Sequence, residues 1–253
     1  MTLLLETRNV SKSFGAFRAL DDVSLSVHDG ELVSVVGPNG AGKTTLVNLL
    51  TGLLEPTSGD VLFMDNNIAG IGPVTLADHG VARTFQLIQI FPSLTVAETI
   101  AVAVVSRQKK RWRFFARLTR DKSVTKRVTE VAEIFGLESR LDTVAATLSQ
   151  GEKKLVDVAS AFALDPKVIL LDEPTSGVST SDKHRIMETL IAAARRAGVR
   201  GIVLVEHDMD LVARYSRRIV ALSEGKVLAD LPPDRFFADP HLIETVIGKR
   251  KVH

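Results

Sequence analysis

Cysteine is absent from the 253 residues, which excludes a disulfide framework and any thiolate metal site. That absence is compatible with a reducing compartment. Long apolar runs are missing as well. Stretches such as IAVAVV, from Ile100 to Val105, fall far short of the ~18 to 20 residues that cross a bilayer, so any membrane role has to be borrowed from a partner. The opening MTLLLETRNV lacks the basic head, apolar centre and small-residue cleavage site of a secretory leader, and export is not expected. No charge of one sign dominates: the formal net charge is +2, so the sum alone points to no polyanionic partner. Internal repeats, low-complexity tracts and sustained heptads are absent too.

What is present is a hydrophobic fraction of 45%, enough for a substantial core in one large domain carrying an inserted subdomain. The N-terminal text reads as strands broken by Asp-Gly and Gly-Asp turns: LLLETRNV, VSLSVHDG, ELVSVVG and DVLFMD. KTTLVNLLTGLL reads as a helix, apolar at Leu46, Leu49, Leu50 and Leu53. Between about Leu87 and Phe162 helical periodicity dominates, in TVAETIAVAVV and SVTKRVTEVAEIFGL. VILLDEP and GIVLVEH are continuous apolar runs, as strands buried on both faces would be, and SDKHRIMETLIAAARRAG between them reads as a crossover helix. The expected fold is α/β with a parallel sheet. Its core spans 1–86 and 163–230, a helical insertion 87–162, and a short extension 231–253.

GPNGAGKTT, comprising Gly37, Pro38, Asn39, Gly40, Ala41, Gly42, Lys43, Thr44 and Thr45, fits the G-x-x-x-x-G-K-[ST] pattern. It follows a buried-type strand and opens a helix. Successive backbone N–H groups can therefore converge on anionic oxygens at the positive end of the helix dipole. Lys43 would reach the β- and γ-phosphates of a nucleoside triphosphate, and the Thr44 hydroxyl would ligate Mg²⁺. In VILLDEP, Asp172 is placed to hold the Mg²⁺ shell and Glu173 to polarise an attacking water. The other reading of these acids is that they merely end a strand. His207 ends a second core strand, where it is either structural or catalytic. LSQGEKK has Ser149 and Glu152 spaced as a capping box, which makes it a helix start, and a helix start with a bare Gly151 is also an anion site.

In this order the motifs resemble those of the ATP-binding subunits of ABC transporters. GPNGAGKTT looks like Walker A, RTFQ ending at Gln86 like the Q-loop, LSQGEKK like the signature, VILLDEP like Walker B and VEHDM like the switch histidine. The resemblance implies a P-loop NTPase (RecA-like) core, an N-terminal antiparallel β subdomain and a helical insertion. It also implies ATP and Mg²⁺ as ligands and ATP hydrolysis as the activity. Glu173 would be the general base, His207 the contact to the γ-phosphate, and Gln86 the hinge residue reaching Mg²⁺ or water. Phe14 aligns with the aromatic that stacks on adenine; its alternative is packing into the neighbouring sheet. Two such subunits close head to tail, as a homo- or heterodimer, so Ser149 and Gly151 of one meet the phosphate held by the other. The sequence departs from the family pattern at Gln150, Glu152 and Ser179, where glycine, glutamine and aspartate are usual.

Within the family, RTFQ, VEHDM and the compact C-terminus most resemble the motor subunits of branched-chain amino acid importers, with amide and urea importers close by. That resemblance implies transmembrane permease subunits as partners, a solute-binding protein reached indirectly, and a place on the cytoplasmic face of the membrane. LIQIFPSLTVAET, with Phe91 and Leu94, would receive the permease, or else form insertion core. The alternatives are a lipopolysaccharide-type exporter ATPase and a non-transport cassette acting on nucleic acid. A single motif set without long coiled coils argues for transport, and no nucleic-acid partner is expected. The basic stretch from Arg107 to Arg127, including KKRWRFFARLTR, reads as a solvated face, a lipid-headgroup patch or a nucleic-acid patch.

Overall fold

The computed structural model describes residues 2–84, 91–108 and 121–247. Gln86 and the centre of the basic stretch lie outside the described residues. The chain forms two compact units, one of Met1–Leu76 with Arg200–His253 and one of Ala77–Val199.

In the first unit, β1 (Leu3–Phe14), β2 (Phe17–His28), β4 (Ser58–Phe63) and β5 (Asn66–Asn67) form an antiparallel sheet in the order β2-β1-β4-β5. Along β2, Val23, Leu25 and Val27 are buried while alternate residues are more open, the period-2 pattern of a sheet with one face on the core. β3 (Glu31–Val36) is buried from Leu32 onward. It runs parallel to β8 (Gly201–Val205) on one side and β9 (Arg218–Ser223) on the other. β10 (Lys226–Leu231) pairs antiparallel with β9. Two C-terminal helices, α8 (Pro233–Phe237) and α9 (Pro240–Ile247), bury Phe236, Leu242 and Val246 in one cluster with Val36, Ile219 and Ala221.

Helix α1 (Lys43–Leu50) is shorter than its apolar pattern predicts. Leu46, Leu49 and Leu50 are buried, but Leu53 lies beyond the end and is exposed. Gly52 takes a left-handed φ of 67°, and the N–H groups of Leu53 and Leu54 both turn back to the carbonyl of Asn48. A glycine stop therefore overrides the periodicity. Short α2 (Pro73–His79) straddles the division between the units, and α7 (Met209–Tyr215) follows β8.

The second unit holds the parallel pair β6 (Val81–Arg83) and β7 (Val168–Asp172), together with α3 (Val96–Arg107), α4 (Lys122–Phe135), α5 (Gln150–Phe162) and α6 (Thr180–Arg196). All five residues of β7 are buried, as its unbroken apolar run predicts. Phe135 of α4 meets Phe162 of α5 edge to face at 5.1 Å. α4 starts on Asp121 and stops at left-handed Gly136. β6 escapes sequence patterning because three residues show no period. Among the described residues no helix is long and apolar enough to cross a membrane.

α3 begins with a complete capping box: Thr95 Oγ1 accepts from the Glu98 N–H at 3.1 Å, and Glu98 accepts from the Thr95 N–H at 2.9 Å. Thr95→Ala removes one arm, and denaturant unfolding should show a loss of about 1 kcal/mol that Thr95→Ser largely restores.

Candidate functional site

β3 delivers the chain to Gly37, and packing fixes the loop that follows. A Cβ on Gly37 would lie 2.2 Å from the Leu222 carbonyl oxygen of β9. One on Gly42, whose φ is 99°, would lie 2.6 Å from Leu20 and 2.7 Å from the Ala19 carbonyl oxygen of β2. No side chain caps α1, and a helix start of this kind favours an anion. Lys43 is only 7% exposed, and its Nζ donates to the carbonyls of Gly37 and Pro38 at 2.7 and 2.9 Å. Asn39 and Gly40 are exposed on the loop and Ala41 is buried, while in the first turn of α1 Thr44 is exposed and Thr45 half-buried.

The same unit brings His207 to this loop. His207 is exposed beyond the end of β8, and its backbone N–H donates to the buried Glu206 carboxylate at 3.1 Å. A cavity of about 320 Å³ is lined by Gly37, Pro38 and Asn39, by His207 and Met209, and by Thr245 to Ile247 of α9. The C-terminal extension thus forms one wall beside the cradle, a position that no motif marks. Phe14 is 46% exposed at the β1–β2 turn. The Lys12 ammonium sits 5.3 Å from its ring centroid and donates to the Glu55 carbonyl at 2.7 Å. The ring is therefore not packed away inside the sheet.

In the second unit Asp172 ends β7 and is 2% exposed. Its carboxylate takes a hydrogen bond from Arg83 of β6 at 2.6 Å, and its N–H donates to Thr84 Oγ1 at 3.3 Å. The pairing of β6 with β7, which sets Arg83 opposite Leu170, puts the guanidinium within reach. Buried charge demands such a partner. Glu173 follows with a left-handed φ of 47°, strained for a non-glycine residue and of the kind that collects at functional sites.

Ser149 is the N-cap of α5, and its box is complete. Ser149 Oγ accepts from the Glu152 N–H at 3.2 Å, and Glu152 accepts from the Ser149 N–H at 2.9 Å. Hydrogen bonds from Ser149, joined by Arg140 at 3.0 Å, hold the Glu152 carboxyl below the usual carboxylate range. A Cβ on Gly151 would meet only Ile186 at 3.7 Å. Ser179, which stands where the family has aspartate, is the N-cap residue of α6, and its hydroxyl donates to Asp182 at 2.6 Å. That bond, with Arg185 behind it, lowers the Asp182 pKa.

Among the described residues no group of three or more His, Cys, Asp or Glu side chains could by itself hold a metal ion. A hard cation bound mainly through substrate phosphates needs no such cage, only one or two oxygen ligands from the protein. The Thr44 hydroxyl and the Asp172 carboxylate are each oxygen donors of the kind that Mg²⁺ takes. Sequence reasoning missed Arg83, Arg140 and Glu206. Arg83 stands within the quoted RTFQ, but its partner is 89 residues away, and no local spacing reveals it. Arg83→Met leaves Asp172 buried without its guanidinium and should cost about 3 to 5 kcal/mol in denaturant unfolding. An unfolding midpoint matching the parent protein would contradict this.

Residues 20–176 match the ABC transporter family model. The high-affinity branched-chain amino acid transport ATP-binding protein LivG of Escherichia coli K12 is 33% identical over 253 residues, covering 97% of this chain and 98% of LivG. A probable LivG of Methanocaldococcus jannaschii is 30% identical over 258 residues, with coverage of 97% and 98%. Among solved structures, a nucleotide-free ATP-binding cassette from an ABC transporter superposes with a TM-score of 0.84 at 30% identity, over 98% of this chain and 100% of that one. The ADP conformation of an ATP-binding cassette gives 0.86 at 29% identity with the same coverage. With the cradle, the strand-end acids and the capped LSQGEKK helix already in place, this chain belongs to the ABC transporter family as an ATP-hydrolysing, ATP-binding subunit homologous to the branched-chain amino acid transport ATPases.

Proposed function

We propose that the chain is a motor subunit of a branched-chain amino acid importer. It works as a dimer in which each ATP lies between the Gly37–Thr45 cradle of one subunit and the start of α5 in the other. Phe14 stacks on the adenine, the cradle N–H groups and Lys43 bind the β- and γ-phosphates, and Ser149 and Gly151 of the second subunit close on the γ-phosphate. Thr44, Asp172 and Gln86 would hold Mg²⁺, which when bound would neutralise charge on the phosphate oxygens. Glu173 takes the proton of the attacking water as its oxygen bonds to the γ-phosphorus, while the bond to the β-phosphate oxygen breaks and ADP leaves. His207 positions water and γ-phosphate, so catalysis is mostly placement and electrostatics. A solved dimeric cassette in a post-hydrolysis state with ADP and Pi, 26% identical with a TM-score of 0.75, supports the dimer.

The observation that carries this reading is Gly151. A glycine inside a helix costs about 0.5 to 1 kcal/mol relative to alanine, and the chain's own packing leaves room for a Cβ there. Its bareness serves a close approach from outside the chain. Gly151→Ala should fold with equal or slightly higher stability, and monomeric ATP binding should persist. Hydrolysis should fall by about tenfold or more, equivalent to at least 1.4 kcal/mol of transition-state stabilisation. Undiminished turnover would sink the reading.

Docking to the permease is assigned to the segment around Phe91, which is 52% exposed. The segment is tied by backbone hydrogen bonds to Val144–Ala146, where Val144 is also exposed. Exposed apolar anchors of this kind dominate interface energetics. Phe91→Ser should abolish co-purification with the permease subunits while leaving nucleotide affinity intact; an undisturbed complex would move docking elsewhere.

A further inference from the structure

The signature helix of this chain carries a charge where the family pattern has a neutral amide. Glu152 occupies the third position of α5, in the capping box with Ser149. Its hydrogen bonds favour the ionised form, so at neutral pH the helix start bears a full negative charge. On the reading above, the γ-phosphate of the facing ATP must approach this helix start. An acid there stabilises the helix dipole but repels the phosphate. The two demands conflict, and glutamine would satisfy the cap without the repulsion.

The fold contains an answer. Arg140 Nε lies 3.0 Å from Glu152 Oε1. Arg140 belongs to a 3₁₀ turn, Glu138–Arg140, that follows the Gly136 stop of α4. That turn is tied to the start of α3: the Ala97 N–H donates to the Leu141 carbonyl at 2.9 Å and the Val96 N–H to the Thr143 carbonyl at 3.0 Å. The backbone carrying the guanidinium is thus anchored to a helix independently of Glu152. Arg140 remains about half exposed, as an ion pair at an interface rim would be.

We propose that Arg140 is a positioning residue for ATP-driven closure: it cancels the charge of Glu152, so the α5 start can accept the partner's γ-phosphate while keeping a glutamate cap. This inference rests on the dimer described above. Arg140 does not itself touch the reacting atoms, and it is required only because residue 152 is acidic. An ordinary surface ion pair would contribute about 0 to 1 kcal/mol to folding and nothing to closure.

The test uses the full chain in a Glu173→Gln background, where ATP is bound but hydrolysed slowly, with light scattering to read ATP-dependent dimerisation. Arg140→Ala should raise the ATP concentration for half-maximal dimerisation about tenfold at low salt. The deficit should shrink near 1 M salt, where the screening length falls to about 3 Å. Arg140→Lys should recover most of the loss. The decisive variant is Arg140→Ala combined with Glu152→Gln, which should dimerise like Glu152→Gln alone. An equal deficit from Arg140→Ala with and without Glu152→Gln would overturn the proposal, as would no deficit at all. If the Glu173→Gln parent binds ATP yet never dimerises, the dimer reading itself fails, and this inference falls with it. Thermal unfolding of each variant separates a closure defect from a loose α5 start.

Discussion

A buried ammonium held by backbone carbonyls is the constraint on which the nucleotide cradle depends. Lys43 has little exposure, and cations of that kind are tolerated inside proteins only when hydrogen-bonded. The carbonyls of Gly37 and Pro38 supply those bonds, so the loop folds around its own lysine. Everything near it serves that curvature. β3 is held by parallel strands on both sides, β9 leaves no room for a side chain at Gly37, and β2 leaves none at Gly42.

Acids of the second unit obey the same rule. Asp172 is held by Arg83, Glu152 by its cap and Arg140, and Asp182 by Ser179 and Arg185. Each carboxylate is fixed in place by partners within the chain. Preorganisation of this kind is distributed: the partners come from a neighbouring strand, a 3₁₀ turn and the first turn of a helix. Ser179 shows how a departure from the family pattern is accommodated. The acid missing at the helix cap appears three residues later, within reach of the serine hydroxyl.

Much of this was legible in the sequence because its logic is local. GPNGAGKTT, VILLDEP and LSQGEKK each contain their own geometric reason: glycines before a lysine, an unbroken apolar run ending in acids, a serine three places before a glutamate. The three strands β3, β7 and β8 follow from runs too short for helices and too apolar for an exposed face. Three features were not legible. Arg83 and Arg140 act through partners fixed by strand pairing and by a turn, which no spacing encodes. The wall formed by α9 beside His207 depends on a cluster that joins chain segments from Val36 to Val246. The end of α1 was misjudged because Leu53 keeps the apolar rhythm after Gly52 has already turned the backbone.

The hydrogen bonds that tie Pro92 and Leu94 to Ala145 and Ala146 have a mechanical consequence. From Ala145 to Ser149 the chain contains no glycine. It is stiffened by a 3₁₀ turn in which Thr147 Oγ1 donates to the Val144 carbonyl at 2.8 Å, and it is anchored by buried Leu148. Four residues span at most about 14 Å, which leaves this link little slack. A displacement of Pro92 or Leu94 therefore has only a short, tethered path to the cap of α5.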